Sequence, residues 1–384
     1  MTEPKKIVLL GATGSIGDSV LRVIRKHPDC LELFGISAHS NLAKLIEIAK
    51  EFKVPHAHLV KEPENIGSFP ETTRFSFGNK ALLDLASMEE SDICVVAIVG
   101  AAGLQPTLSA IESGQDIVLA NKESLVMGGE LVMKTAKERD VRIIPADSEH
   151  NAVFQCIQGE CNRQLDSIIL TASGGALRDT PIEKLSEVTL EETLRHPNWS
   201  MGPKVTIDSA TMANKGLELI EAHWLFGLPS EKLEVVIHPS SITHAIVRFI
   251  DGCCLAQLSP PSMTFALQNA ILFPNRLEGV EQSLDFSKPI DLSFYPPSPK
   301  RFPCLQLARE SLQAGGSAPL AYNASNEIAV EAFRANRIGF MEIPSIIEDT
   351  LNMHDSSQAH SLDELLYLDS EIRRLAHERV WAHS

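Results

Sequence analysis

The chain has 384 residues, 44% hydrophobic and 22% charged, enough for two or three domains that need no disulfide or metal to fold. Its 50 acidic against 34 basic side chains leave a formal charge of -16, which argues against a general nucleic-acid binder or a partner of anionic membranes but allows one local basic pocket. Seven cysteines in spacings that match no zinc motif, no signal-peptide pattern and no apolar run of about 18 residues point to a reduced, cytoplasmic protein without a membrane span.

Residues 6–10 (KIVLL) form an apolar run that stops at Gly11, the pattern of a buried parallel strand. A helix over 16–26 follows, with Ile16, Val20, Val23 and Ile24 on one face. A strand over 31–37, a helix over 42–52, and strands over 92–99, 116–120 and 141–146 continue the alternation. Strands alternating with helices specify a parallel α/β sheet. Residues 1–150 are therefore expected to form a doubly wound, Rossmann-like domain. Strands over 166–172 and 233–238, and a pair over 244–250 and 253–258 around Asp251-Gly252, give a central α/β domain over 151–285. Within it the polar stretch 178–209 is expected to be a long loop, either functional or disordered. Residues 286–303, with five prolines, read as a linker. Residues 304–384 show only helical periodicity, over 304–313, 323–335, 343–353 and 361–378, and are expected to be a C-terminal helical domain.

Three constellations carry chemistry. The turn Gly11-Ala-Thr-Gly14-Ser-Ile-Gly17 joins the first strand to the first helix, where a glycine backbone and a helix N-terminus suit a pyrophosphate; a ligand-free tight turn is the alternative. No carboxylate ends the second strand at Ser37-Ala-His39-Ser40-Asn41, which favours NADP over NAD. Lys44 is the nearest cation, unless it is a solvated helix residue. Next, Asp147-Ser148-Glu149 follows a strand. On an extended chain both acids would face one way and share a hard cation such as Mg²⁺ or Mn²⁺, or they are simply solvated. The helix SATMANKGLELIEAHWLF (209–226) sets Leu217, Ile220 and Trp224 on one face and Asn214, Glu218 and Glu221 near the other, beside Lys215. That polar face either serves a phosphate and a cation or is only solvated. Finally, Thr171-Ala-Ser173-Gly-Gly offers hydroxyls and backbone N–H groups to an anion, or is a routine turn. Ser209 could add a further donor. Trp199 and Met201, in the loop His196-Pro-Asn-Trp-Ser-Met-Gly202, are either lid residues or anchors of the loop to the core.

GATGSIG, LANKES (119–124), ADSEHNA (146–152), ASGGALR (172–178), RHPNWSMG (195–202), DSATMANKGLE (208–218), IHPSSITH (237–244) and NEIAVEAF (326–333) run in one order along the chain. Together they resemble the 1-deoxy-D-xylulose 5-phosphate reductoisomerase family. The resemblance implies a cytoplasmic homodimer that uses NADPH and Mg²⁺ or Mn²⁺. It would convert a small phosphorylated sugar to 2-C-methyl-D-erythritol 4-phosphate in the non-mevalonate isoprenoid pathway, and fosmidomycin would inhibit it. It also implies metal ligands Asp147, Glu149 and Glu218, and substrate contacts from Lys122, Ser148 and Glu149. The phosphate would be held by Ser173, Ser209, Asn214 and Lys215, with His196, Trp199 and Met201 in a closing loop. NADPH would touch Thr13, Gly14, Ser15, Ile16, Asn41, Asn121, Glu123 and Gly202. The family often has Gly-Lys-Asn where this chain has His39-Ser40-Asn41, so His39 and Asn41 are expected to meet the 2′-phosphate in place of the missing lysine. A semialdehyde-type NADP dehydrogenase without a cation, and a non-catalytic NADP sensor, are the competing readings.

Overall fold

The computed structural model describes residues 3–160 and 164–383, so the reduced thiol expected at Cys161 lies outside the described residues. The other six cysteines are free thiols. The chain divides into two compact units.

Unit one comprises Met1–Ser124, Val132–Asn151 and Ser262–Ser283. Its strands are β1 (Lys5–Leu10), β2 (Leu31–Ala38), β3 (His56–Leu59), β4 (Arg74–Phe77), β5 (Ile93–Val96), β6 (Asp116–Leu119) and β7 (Ile143–Pro145). They form one sheet in the order β4-β3-β2-β1-β5-β6-β7, with every pair parallel. The sequence order reverses between β1 and β5, the place where doubly wound sheets open a ligand crevice. Helix α1 (Ser15–Lys26) buries Val20, Leu21, Val23 and Ile24, the face its periodicity marks. Helices α2 (Leu42–Phe52), α3 (Asn79–Ala86) and α4 (Leu104–Glu112) follow, and α5 (Lys122–Glu138) crosses between the two units. Strands β3 (HAHL) and β4 (RFSF) have no apolar run, and sequence reading passed over both.

Acid should test the packing of β3. His58 is fully buried, with Nδ1 3.0 Å from Ser76 Oγ, and burial pushes its pKa down from 6.5 to about 4. Above pH 6.5 the ring is neutral in both folded and unfolded chains. Between 6.5 and about 4 only the unfolded chain takes up the proton, so stability falls as pH falls across that window. Thermal midpoints are expected to drop from pH 7 to pH 5, and to drop less in His58→Leu. Equal pH slopes in the two proteins would remove His58 from the account.

Unit two comprises Leu125–Leu131, Ala152–Pro261 and Leu284–Ser384. Its sheet has the order β11-β10-β8-β9, from β8 (Leu165–Ala172), β9 (Leu233–Ile237), β10 (Thr243–Phe249) and β11 (Cys254–Leu258). Only β8 and β9 pair in parallel. The helices here are α7 (Leu190–Thr193), α8 (Pro203–Thr211), α9 (Ala213–Phe226), α11 (Pro303–Ala314), α12 (Ala318–Arg334), α13 (Glu342–Met353) and α14 (Leu362–His383).

Five expectations meet a different structure. The stretch 178–209 is not one loop: it holds a 3₁₀ turn (Ile182–Glu187), α7 under a Thr189/Glu192 capping box, and most of α8. These pieces are too short for a period to show. Asp147 and Glu149 are not on extended chain, because β7 ends at Pro145 and Ser148 opens helix α6 (Ser148–Cys156). The Pro-rich stretch is docked rather than spacing two bodies. Ile237 and Tyr295 exchange backbone hydrogen bonds of 2.7 and 2.9 Å, Phe294 stacks on His238 with ring centres 4.7 Å apart, and Arg301 donates to the carbonyls of Leu177 and Thr180. The C-terminal helices share one core with α9, in which Leu217 and Ile220 meet Tyr322 and Ile346. Residues Ser262–Ser283, including α10 (Met263–Leu272), fold with unit one, where Lys5 Nζ donates to Phe273 O at 2.8 Å and Arg22 pairs with Glu281.

Candidate active site

In unit one the glycine turn leaves β1 against the end of β2: Gly11 and Ala12 N–H donate to Ser37 O at 3.1 and 2.8 Å. Gly11 has φ +93°, and a Cβ there would lie 2.5 Å from Ala97 O, so only glycine fits. Gly14 differs. It caps α1 without a side-chain acceptor, and a Cβ there would meet only Gly11 O, at an ordinary 3.6 Å. The protein does not fill the space over Gly14, and a helix N-terminus faces it. Gly14, Ser15, His39 and Asn41 are exposed, and Thr13 and Ile16 half-buried, at the ends of adjacent strands. Asn41 caps α2, accepting from Lys44 N at 3.2 Å. Lys44 is not a free surface cation: it pairs with Asp18 at 2.7 Å and donates to Thr13 O at 3.1 Å.

Asn121 is fully buried as the N-cap of α5. Its amide donates to Ile98 O and Gly100 O, both at 2.9 Å, and to Glu123 Oε2 at 3.1 Å. Asn121 thus fixes the loop after β5, and Glu123 accepts from the same amide. Lys122, beside them, pairs with Asp147. Asp147 Oδ1 accepts from Ser148 N at 3.0 Å, and Ser148 Oγ donates to Glu149 Oε2 at 2.5 Å. Two carboxylates at the start of α6 are favoured by its dipole, and the Lys122 ammonium pairs with the first of them.

In unit two α9 carries the polar face expected of it, but buried. Lys215 is 3% and Glu218 1% exposed, which excludes a solvated helix face. They pair with each other one turn apart, and Asn214 donates to the same carboxylate. Glu221 is buried one turn further on. The loop after β8 brings Ser173 to His196, Oγ to Nε2, at 2.9 Å. His196 Nδ1 accepts from the N–H groups of Asn198 and Trp199 at 3.2 and 2.9 Å, so the ring proton sits on Nε2 and donates to Ser173. Burial, and then the Arg178 guanidinium, lower the pKa of His196 and keep it neutral. Ser173 Oγ also accepts from Gly175 N at 3.1 Å, which leaves its own O–H to donate outward. Ser209 is half-buried near the end of α8, whose N-cap is Gly202.

The loop from His196 to Gly202 lies against the turn after β9. Asn198 Nδ2 donates to Pro239 O at 2.6 Å and Ser241 Oγ at 3.0 Å, and the Trp199 ring meets His244 edge-on at 6.1 Å. Burial pushes the His244 pKa down to about 4, and its Nε2 lies 3.0 Å from Ser259 Oγ. Sequence reading did not place Asn198, Ser241 or Arg178 in the site. Ser241, at φ +54°, occupies the left-handed region that a serine rarely adopts, a signal only the backbone shows.

The family model described as 1-deoxy-D-xylulose 5-phosphate reductoisomerase matches residues 7–129. Its C-terminal domain model matches 143–226, and a further DXP reductoisomerase C-terminal domain model matches 258–375. The reductoisomerase of Paraburkholderia phytofirmans is 45% identical over 385 residues, covering 98% of this chain and 96% of that protein. The chain belongs to the 1-deoxy-D-xylulose 5-phosphate reductoisomerase family. A second relative, reductoisomerase 2 of Bacillus thuringiensis, is 44% identical over 379 residues, 98% of this chain and all of that protein. A crystal structure of a family member with NADPH, fosmidomycin and magnesium superposes with a TM-score of 0.91 at 39% identity, over 98% of both chains. That of the Zymomonas mobilis reductoisomerase with NADPH gives 0.90 at 38%, over 98% of this chain and 99% of that one. Ala172 lies at the buried end of β8, and His39-Ser40 stands exposed after β2.

Proposed function

We propose that this chain converts 1-deoxy-D-xylulose 5-phosphate to 2-C-methyl-D-erythritol 4-phosphate, with NADPH and a divalent cation, as an oxidoreductase of the non-mevalonate isoprenoid pathway. The observation that carries the reading is the burial of Lys215 and Glu218 together on α9. Burying an ion pair away from water is costly, and a site for a phosphate and a cation gives it a use.

Both absent groups have donors of the right chemistry. The open space over Gly14 and the uncapped start of α1 suit a pyrophosphate, with Thr13, Ser15, Ile16, His39, Asn41, Asn121, Glu123 and Gly202 as further cofactor contacts. Asp147, Glu149 and Glu218 are hard oxygen donors suited to Mg²⁺ or Mn²⁺. When bound, the cation supplies a Lewis acid for the substrate's vicinal oxygens, and NADPH supplies hydride. The protein's own groups do the rest. Ser173 donates its outward O–H to the phosphate, and His196 fixes that orientation through a neutral ring. Ser209, Asn214 and Lys215 supply further donors and one positive charge. Lys122, Ser148 and Glu149 orient the sugar's hydroxyls. The loop bearing Trp199 and Met201 closes over the substrate and excludes water, so phosphate binding energy orients the reacting carbons.

The protein is further proposed to be a cytoplasmic homodimer that binds neither nucleic acid nor membrane. No helix among the described residues is long and apolar enough to cross a membrane. β11 is an edge strand with Leu255 exposed, and an unpaired edge is open to a second copy of the chain.

The test is NADPH oxidation on adding 1-deoxy-D-xylulose 5-phosphate, with Mg²⁺ and then with chelator. Turnover that needs both supports the reading; none by folded, NADPH-binding protein ends it. Gly14→Ala is a sharper probe of the cofactor site. Its methyl fits the protein but fills the cradle, so the KM for NADPH is expected to rise at least about tenfold at unchanged thermal midpoint. A normal KM would move the pyrophosphate elsewhere.

A further inference from the structure

The buried charge next to the phosphate-side serine has no task in the reaction described above. Asp208 precedes Ser209 on α8 and is fully buried. Its Oδ2 lies 2.8 Å from Lys204 Nζ, one turn back on the same helix. Its Oδ1 accepts from Asn326 Nδ2 of α12 at 3.0 Å, and Asn326 is itself fully buried. Lys204 stands in the first turn of α8, where the helix dipole disfavours a cation; the carboxylate one turn on offsets that. Apolar side chains of similar volume could fill such a space at no loss of stability. What they could not do is select one register. Apolar faces slide past one another, whereas the Asp208–Asn326 hydrogen bond between the two helices closes in a single arrangement, and Lys204 holds the Asp208 carboxylate for it from within α8.

Helix α8 has nine residues, with Gly202 as its N-cap and Ser209 near its end. A small rotation or slide of so short a helix moves both ends together. We propose that Asp208, held by Lys204 and Asn326, is a positioning residue. It fixes the register of α8 on α12, and thereby sets Ser209 for the substrate's phosphate and the point where the His196–Gly202 loop ends. The inference rests on the phosphate role proposed for Ser209.

Asp208→Asn, Lys204→Met and Lys204→Arg test it by steady-state kinetics on the full chain, with KM measured separately for the phosphorylated sugar and for NADPH. Asp208→Asn and Lys204→Met are each expected to raise the sugar KM about tenfold or more, with the KM for NADPH within twofold of wild type. The double variant should be no worse than the poorer single one. Lys204→Arg, which keeps the ion pair, should stay near wild type. A purely structural role would lower the folded fraction, and with it the apparent kcat, and leave KM alone; that result overturns the proposal. So does a parallel rise in both KM values. Should Asp208→Asn fail to fold, Lys204→Met decides, since Lys204 reaches the surface and its loss is more easily absorbed. An inactive wild type would instead defeat the reading on which the inference stands.

Discussion

Glu218→Gln is expected to lower kcat by about 10³-fold, some 4 kcal/mol of transition-state stabilisation, in a protein that still folds and binds NADPH. The substitution keeps size and shape and removes one charge. That charge sits at 1% exposure on α9, bonded to Lys215 and Asn214. A neutral amide remains a weak oxygen donor, but it no longer holds a hard cation in competition with water. It also removes the carboxylate charge that pairs with the Lys215 ammonium. Two measurements separate these effects: Mn²⁺ affinity of the variant, followed by its paramagnetic signal, and kcat at saturating metal. Weakened Mn²⁺ binding together with the fall in kcat fits a ligand. Unchanged Mn²⁺ affinity, or a kcat within tenfold of wild type, would remove Glu218 from the cation site.

Much of the fold was legible because burial here follows period. KIVLL at β1 and the Val20–Val23–Ile24 face of α1 announce themselves, and the observed bounds differ from the expected ones by a residue or two. What failed to show were elements whose identity depends on neighbours. β3 and β4 are four residues each, and their histidines and serine look like surface until parallel partners enclose them. The helical start at Ser148 was hidden because Asp147 and Glu149 are as reasonable at a strand end as in a first helical turn. For the site, residue types were informative and burial was not. The sequence places Lys215 and Glu218 on a polar helix face, and that face reads equally well as solvated. The fold buries Lys215 and Glu218 as well as the apolar side chains Leu217 and Ile220, which share a core with α11 and α12 in contacts remote in sequence. Asn198, which ties its loop to Pro239 and Ser241 some forty residues on, escaped for the same reason.

Lys215→Ala should show two losses with different signatures. The first is kinetic. A buried ammonium donating to a phosphate dianion is a charge-assisted contact of about 1.5–3 kcal/mol, so KM for the phosphorylated sugar is expected to rise about 10²-fold. Phosphate binding also drives loop closure in the proposed reaction, so kcat should fall as well, though less. The second loss is in stability. The Lys215 and Glu218 side chains are 4% and 1% exposed, and removing one partner of such a buried pair costs about 3–5 kcal/mol because a buried carboxylate loses its ammonium. That penalty depends on what else neutralises Glu218. If Glu218 is a cation ligand, Mg²⁺ takes over the lost ammonium's task, and the drop in thermal midpoint should be large in chelator and small in saturating Mg²⁺. Wild-type KM in the variant would take Lys215 off the phosphate. A drop of equal size with and without Mg²⁺ would leave the phosphate role standing and take Glu218 off the metal.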